Sequence, residues 1–304
     1  MGPPGPMEVQ VRALVGAISR GTESLVFHGR VPESERQRMR CPFQDGEFPF
    51  PVKYGYSTVG IVAAGSAERI GQRIFALYPH QTLFNLPADA AIPVPAEIPS
   101  EHAALAPQME TALNATWDAA HRVGDRIAVV GAGVIGILVA YLCARSPGTT
   151  VTLIDRDPGR GEIAEHLGIG FAEMDERMPE DCDLVFHASG DPAGLDLALS
   201  LCGFEGTVIE LSWYGDRPVP VTLGGAFHSQ RLTIRASQVG TVAPSHRALW
   251  THRQRLEKAL ALCADPRLDI LVREETPFDS LPNRLPDILG RPGALCHLIR
   301  YPEE

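Results

Sequence analysis

Arg126-Ile127-Ala128-Val129-Val130-Gly131-Ala132-Gly133-Val134-Ile135-Gly136-Ile137-Leu138-Val139-Ala140 is the stretch on which the reading of this chain turns. Ile127, Ala128, Val129 and Val130, small or β-branched, predict a buried strand over Arg126–Val130. A G-x-G-x-x-G turn follows at once, and an apolar helix over Val134–Arg145 follows that. Each glycine has a separate role. Gly131 permits the tight turn, Gly133 lets the backbone approach a pyrophosphate, and Gly136 allows helix and strand to pack closely. Val134 and Ile135 then open a helix whose unpaired N–H groups face an anion. The apolar run from Ile127 to Cys143 is interrupted by three glycines and flanked by charge, so it reads as strand-turn-helix and not as a membrane span.

Working outward, the next predicted strand is Thr150–Asp155, and it ends on an acid. A carboxylate there accepts hydrogen bonds from the ribose hydroxyls of an adenosine and repels a 2′-phosphate, which predicts NAD rather than NADP. Arg156 and Arg160 follow immediately and are the residues that would hold a 2′-phosphate instead. A purely local role for Asp155, capping its βα loop, stays open. Further strands are predicted over Asp183–Ala188, Thr207–Leu211 and Leu232–Ser237, with helices over Arg160–Leu167 and Pro192–Leu201 between them. This alternation specifies a parallel sheet covered on both faces, a Rossmann domain over residues 118–240.

Upstream the pattern is β-rich. Met7–Ser19 alternates in part, and Tyr56–Ala64, Arg73–Leu77 and Gln81–Leu86 read as further strands. Pro87, Pro93, Pro95 and Pro99 exclude a long helix in the segment that follows. Ser100 offers an N-cap for a helix from Glu101 to about His121. Downstream, Leu249, Leu256, Leu260 and Cys263 fall on one face of a predicted helix. The tail 241–304 is too short to fold alone, so it is expected to complete the β-rich part, residues 1–117.

The 304 residues carry a net charge of −10, and no basic run tracks a phosphate backbone, which argues against nucleic acid as a partner. Six cysteines lie too far apart for structural zinc or a redox dithiol and read as reduced thiols. Met1–Pro6 shows neither a basic region nor an apolar core, so no secretory leader is expected and the predicted location is cytoplasmic. Lys53 and Lys258 are the only lysines; the arginine bias of the rest reflects composition more than chemistry.

Several motifs resemble the medium-chain dehydrogenase/reductase (zinc-type alcohol dehydrogenase) superfamily along nearly the whole chain. They are Ser19-Arg20-Gly21-Thr22-Glu23, Gly55-Tyr56-Ser57-Thr58-Val59-Gly60, Gly71-Gln72-Arg73-Ile74-Phe75, the glycine loop, and Ala188-Ser189-Gly190. The Gly-Thr-Glu and Gly-Tyr-x-x-Val-Gly pieces are most similar to the branch containing bacteriochlorophyllide hydroxyethyl dehydrogenase. The resemblance implies an α/β protein with a GroES-like catalytic domain beside the Rossmann domain, substrate between them, and a homodimer. It also implies that Ala188, Ser189, Ser212 and Trp213 border the cofactor. Where zinc-dependent members carry their ligands, this chain has Arg20, Tyr56-Ser57 and Thr111, none of which supplies thiolate, imidazole or carboxylate. The four-cysteine zinc lobe is absent as well, and Cys41, His28 and Glu110 have no spacing that would rescue a site. The expectation is a zinc-free enzyme.

Moving a hydride between a secondary alcohol and nicotinamide then requires hydrogen-bond donors, in place of a Lewis acid, at the developing oxyanion. Tyr56 is the first candidate for proton transfer. Its ordinary pKa near 10 calls for a nearby cation, with Arg20 and Lys53 as suppliers. Thr22 stands where the family keeps a relaying hydroxyl, although Leu25 replaces the histidine that continues that relay. Glu110 is a candidate base or a partner for Arg20. His80 and Gln81 are expected to line the substrate site, and His187 to be a satisfied core histidine. Simple packing of Tyr56 on Tyr54, a structural Arg20–Glu110 pair, reduction of an enone or quinone, and a nucleotide-binding protein without catalysis all remain open at this stage.

Overall fold

A computed structural model describes residues 2–174, 178–291 and 295–302. Within the tail 241–304, residues 292–294 and 303–304 lie outside that description. The chain divides into two compact units, residues 1–107 with 257–304, and residues 108–256.

The first unit is built on an 11-residue strand, Glu8–Ile18, that pairs antiparallel with three others. Thr58–Ala64 runs along one side, while Leu83–Pro87 and His297–Arg300 share the other, placing Val9 opposite Leu86 and Val15 opposite Arg300. Arg73–Ala76, Ile92–Pro93 and Glu274–Pro277 complete a seven-stranded sheet. Alternation holds along the first half of the long strand and then lapses, with Val15, Gly16, Ala17 and Ile18 all buried. The helical turn Ser100–Ala103 packs on this strand, so both faces are covered there. Val9, Val11, Ile18, Ile74, Phe84, Leu86 and Ile299 form the core. The tail contributes two strands to this sheet, which its sequence pattern did not mark.

The second unit is an all-parallel six-stranded sheet in the order Gly170–Glu173, Thr150–Asp155, Arg126–Val130, Cys182–His187, Cys202–Glu210, Thr233–Ala236. That is the doubly wound order, with the glycine-bearing strand beside the point where the strand order reverses. Helices Val134–Cys143, Arg160–Leu167 and Pro192–Leu201 connect the strands. Ile127, Ala128, Val129 and Val130 are all buried, as a strand covered on both faces requires.

Three expectations need correcting. The single helix expected from Glu101 to His121 is two, Ser100–Ala103 and Ala106–Ala119, with Pro99 and not Ser100 as the cap. Pro107 explains the break: it cannot donate back to the preceding turn and sits where a new helix begins. Leu249 does not share the C-terminal helical face, because the helix is His252–Leu262 and Leu249 is 82% exposed ahead of it. The expected strand at Tyr56 begins at Thr58, which leaves Tyr56 on the approach to the strand.

Candidate functional site

The glycine loop sits where strand Arg126–Val130 meets helix Val134–Cys143. Gly131 has φ +104°, and a Cβ there would lie 2.6 Å from the Ser189 nitrogen, so only glycine lets the two loops touch. A Cβ on Gly136 would collide with the Gly131 carbonyl oxygen. Gly133 is different: nothing lies within 4 Å of where its Cβ would be. The loop is therefore closed beneath and open above, at the N-terminus of a helix, and it fits a dinucleotide pyrophosphate. Asp155 ends the adjacent strand. Its Oδ2 accepts from the Ala132 N–H at 2.6 Å and its Oδ1 from the Asp157 N–H at 2.9 Å. The carboxylate thus braces the glycine loop, and each oxygen keeps a lone pair for a ribose hydroxyl. Arg156 is exposed. Arg160 is 6% exposed and engaged with Asp157 at 3.3 Å.

Past the ends of the next two strands, two loops are joined through a buried imidazole. His187 is fully buried, with Nδ1 2.8 Å from a Glu210 carboxylate oxygen and Nε2 2.6 Å from Ser189 Oγ. Glu210 also accepts from the Ser212 N–H at 2.7 Å and from the Tyr214 hydroxyl at 3.3 Å. The Gly190 N–H donates to Ser212 Oγ at 3.1 Å, and Arg217 donates to the Gly190 carbonyl at 2.8 Å. His187 is satisfied at both nitrogens, as expected of a core histidine, and its partners Glu210 and Ser189 lie at the strand ends beside the glycine loop. Trp213 lies partly exposed in the same loop. Glu210 carried no role in the sequence reading; its position directly before Leu211-Ser212 was the available signal.

In the first unit, helix Arg20–Phe27 follows the long strand and was not expected. Its N-cap Ser19 makes no side-chain cap; the Ser19 and Thr22 hydroxyls instead bond the Tyr56 phenol. Glu23 is 8% exposed, accepts from the Ser19 N–H at 2.8 Å and meets His80 Nε2 at 3.0 Å. Gly55, at φ +118°, makes room for that ring, since a Cβ would lie 2.8 Å from the imidazole. Tyr54 packs edge-on to Tyr56 at 6.0 Å. Burial pushes the Tyr56 phenol up to about 12, the two hydroxyls pull it back, and the Glu23 charge adds to the rise. The expectation of a cation lowering that pKa is therefore corrected: hydroxyls, a carboxylate and the Cys41 thiol dominate its surroundings. Lys53 is held by Gln81 Oε1 at 2.9 Å and Asp45 at 3.5 Å on an exposed hairpin. Arg20 opens the helix, half-buried.

Glu110 serves a different purpose from either one expected. Its carboxylate accepts from Arg255 Nε at 2.9 Å, and Arg255, 1% exposed, also donates to Asn114 Oδ1 at 2.5 Å and to the carbonyls of Val239 and Thr241. This is a buried structural pair within the second unit. The places that the resemblance assigns to zinc ligands do not fit the ion. Tyr56 is held protonated, the Ser57 hydroxyl donates to the Ala104 carbonyl at 2.6 Å, and Arg20 and Thr111 offer no metal-binding atom of the usual kind. Among the described residues no group of three or more His, Cys, Asp and Glu side chains is gathered as a metal would need. Burial pushes the Cys41 thiol up to about 12, so it rests as a protonated thiol.

No family model matches the chain. Among curated proteins it is similar to L-threonine 3-dehydrogenase of Rhizobium rhizogenes, 31% identical over 118 residues, 39% of this chain and 33% of that protein. The match to such relatives thus spans only about a third of their length. A broader similarity is to 2-desacetyl-2-hydroxyethyl bacteriochlorophyllide A dehydrogenase of Cereibacter sphaeroides, 27% identical over 254 residues, 77% of this chain and 74% of that one. Among solved structures, an alcohol dehydrogenase from Thermus sp. ATN1 superposes with a TM-score of 0.73 at 22% identity, covering 99% of this chain and 97% of its own.

Proposed function

We propose, for a chain that belongs to the medium-chain dehydrogenase/reductase superfamily, an alcohol dehydrogenase-like oxidoreductase activity interconverting a small-molecule secondary alcohol and its ketone. The observation that carries the reading is the glycine cradle, open above Gly133, with Asp155 braced at the end of the neighbouring strand. Gly131, Gly133, Val134, Ile135 and Gly136 hold the pyrophosphate of a nicotinamide dinucleotide. Ala188, Ser189, Ser212 and Trp213 border its other half. Asp155 selects NAD(H) over NADP(H), a preference supported by Arg160 being committed to Asp157.

When bound, the nicotinamide accepts or supplies the hydride. The chain's own residues manage the proton and the oxyanion, and they do so without zinc. A tyrosine whose phenol stays protonated to about 12 is not a phenolate base near neutral pH, and its O–H is present to meet a developing oxyanion. The reading gives Tyr56 the proton transfer to the developing alkoxide, a far stronger base than phenolate; the phenol regains its proton from solvent, relayed through the Ser19 and Thr22 hydroxyls that bond it. Arg20 is the half-buried positive charge of the same helix, and the Glu23–His80 pair sets the electrostatics behind the phenol. Glu110 and Lys53 take no part in this scheme.

Elemental analysis and one conservative variant test the reading. Purified protein is expected to carry no stoichiometric zinc, and chelators leave turnover unchanged. Tyr56→Phe removes one hydroxyl and little volume, so fold and NADH affinity persist while turnover falls by about 10²–10⁴-fold. Stoichiometric zinc refutes the metal-free mechanism. Full turnover in Tyr56→Phe moves the proton to Thr22, and NADH binding with no turnover on any ketone or enone sinks the enzymatic reading.

A further inference from the structure

The imidazole that joins the two rim loops has a chemical consequence for whatever the rim holds. Glu210 accepts from three donors, the Ser212 N–H, the Tyr214 O–H and His187 Nδ1. Nδ1 must therefore carry a proton, and in the neutral ring Nε2 is then an acceptor. Ser189 Oγ, 2.6 Å from Nε2, gives its only proton to that nitrogen in preference to the Asp191 carbonyl, which lies at 3.5 Å. One of its lone pairs takes the Asp191 N–H at 3.1 Å. The other is left for an outside donor. Gly194 leaves room for this contact, since a Cβ there would lie 2.4 Å from Ser189 Oγ and 2.8 Å from His187 Nε2.

Strand order says which part of a ligand it meets. The glycine-bearing strand lies between the strand ending in Asp155 and the strand ending in His187. With the pyrophosphate on the glycine loop and the adenosine ribose on Asp155, the second nucleoside extends over Ser189 on the opposite side.

We propose that His187 and Glu210 are positioning residues that make the Ser189 hydroxyl a dedicated hydrogen-bond acceptor for a ribose hydroxyl of the nicotinamide nucleoside. The inference rests on the nucleotide reading above. It assigns recognition to a donor on the ligand, so a group that only accepts, such as a phosphate oxygen, gains nothing from this oxygen. The rim itself stays in place without Ser189, through Gly190 to Ser212 and Arg217 to Gly190.

The test compares NADH with ADP, which lacks the second nucleoside. Ser189→Ala deletes the acceptor. His187→Asn puts an amide near the Nδ1 position, keeping a donor toward Glu210 and leaving Ser189 without its partner. Fluorescence titration is expected to show NADH affinity weakened roughly 3–10-fold in each variant, the worth of one hydrogen bond, with ADP affinity unchanged by competition. Adding His187→Asn to Ser189→Ala produces no further loss. Equal weakening of NADH and ADP marks a merely structural histidine and overturns the proposal, as does unchanged NADH affinity in Ser189→Ala. Should His187→Asn not fold, the exposed Ser189→Ala variant decides by itself. Failure of the unaltered protein to bind NADH overturns the nucleotide reading, and this inference with it.

Discussion

Asp155 braces the glycine loop through Ala132, and the proposed function gives it a second load, reading the adenosine ribose. Replacing it with Ser removes both the charge that opposes a 2′-phosphate and the acceptors that a ribose uses. Asp155→Ser is expected to narrow the preference for NADH over NADPH by about tenfold or more, the range for hydrogen bonds to a charged group, measured by paired titrations. NADPH bound as tightly as NADH by the unaltered protein would instead hand the site to Arg156. The glycines, Asp155, Tyr56 and Thr22 were legible because a turn, a strand end or a motif marks them locally. The Glu23–His80 pair was not, since its members stand 57 residues apart and meet only because Gly55 leaves room for the ring. The chemistry of Tyr56 was hidden for the same reason: burial and a neighbouring carboxylate, neither visible in one dimension, push its phenol up instead of down.

At the scale of elements, helix Ala106–Ala119 is pinned by a buried ion pair. That pair is costly to break, because removing either partner leaves the other charged and desolvated. Arg255→Met is expected to destabilise the protein by about 3–5 kcal/mol, read from denaturant midpoints. Pairing it with Glu110→Gln recovers part of the loss, because the stranded carboxylate is gone; no recovery would show that Asn114 and the two carbonyls matter more. Among the described residues, the strand Thr233–Ala236 ends the parallel sheet with its outer side unpaired, an edge that needs cover. We propose that a second copy supplies that cover. Light scattering then reads twice the 32.9 kDa chain mass, and a monomer at working concentration ends the idea. Helix Arg20–Phe27 escaped the sequence reading because only Glu23 and Val26 are buried along it, too few to show a helical period.

Across the whole molecule, protonated thiols and phenols are stored in the interior. Burial pushes Cys41, Cys143, Cys202 and Cys296 up to about 12 and Cys182 up to about 11, and it also raises Cys263, Tyr54 and Tyr301. Each group holds its proton more tightly folded than unfolded, so its contribution is intact below the ordinary thiol pKa near 9 and is lost as pH climbs toward 12. Thermal unfolding under reducing conditions is expected to show Tm flat through neutral pH and falling steadily above about 9. A flat Tm to pH 11 would mean that these groups are open to water. What the sequence determined by itself is the doubly wound sheet, the glycine cradle and the acid beside it, because those depend on hydrophobic period and on glycines acting within a few residues. It also determined which residue types stand where the resemblance places zinc ligands, Arg20, Tyr56-Ser57 and Thr111, since a residue type is read directly. Only the tertiary structure decided that Glu110 belongs to Arg255, that His80 faces Glu23, and that His187 reaches Ser189 and Glu210. Those pairings are set by strand order and burial, which bring distant residues together and fix how tightly each proton is held.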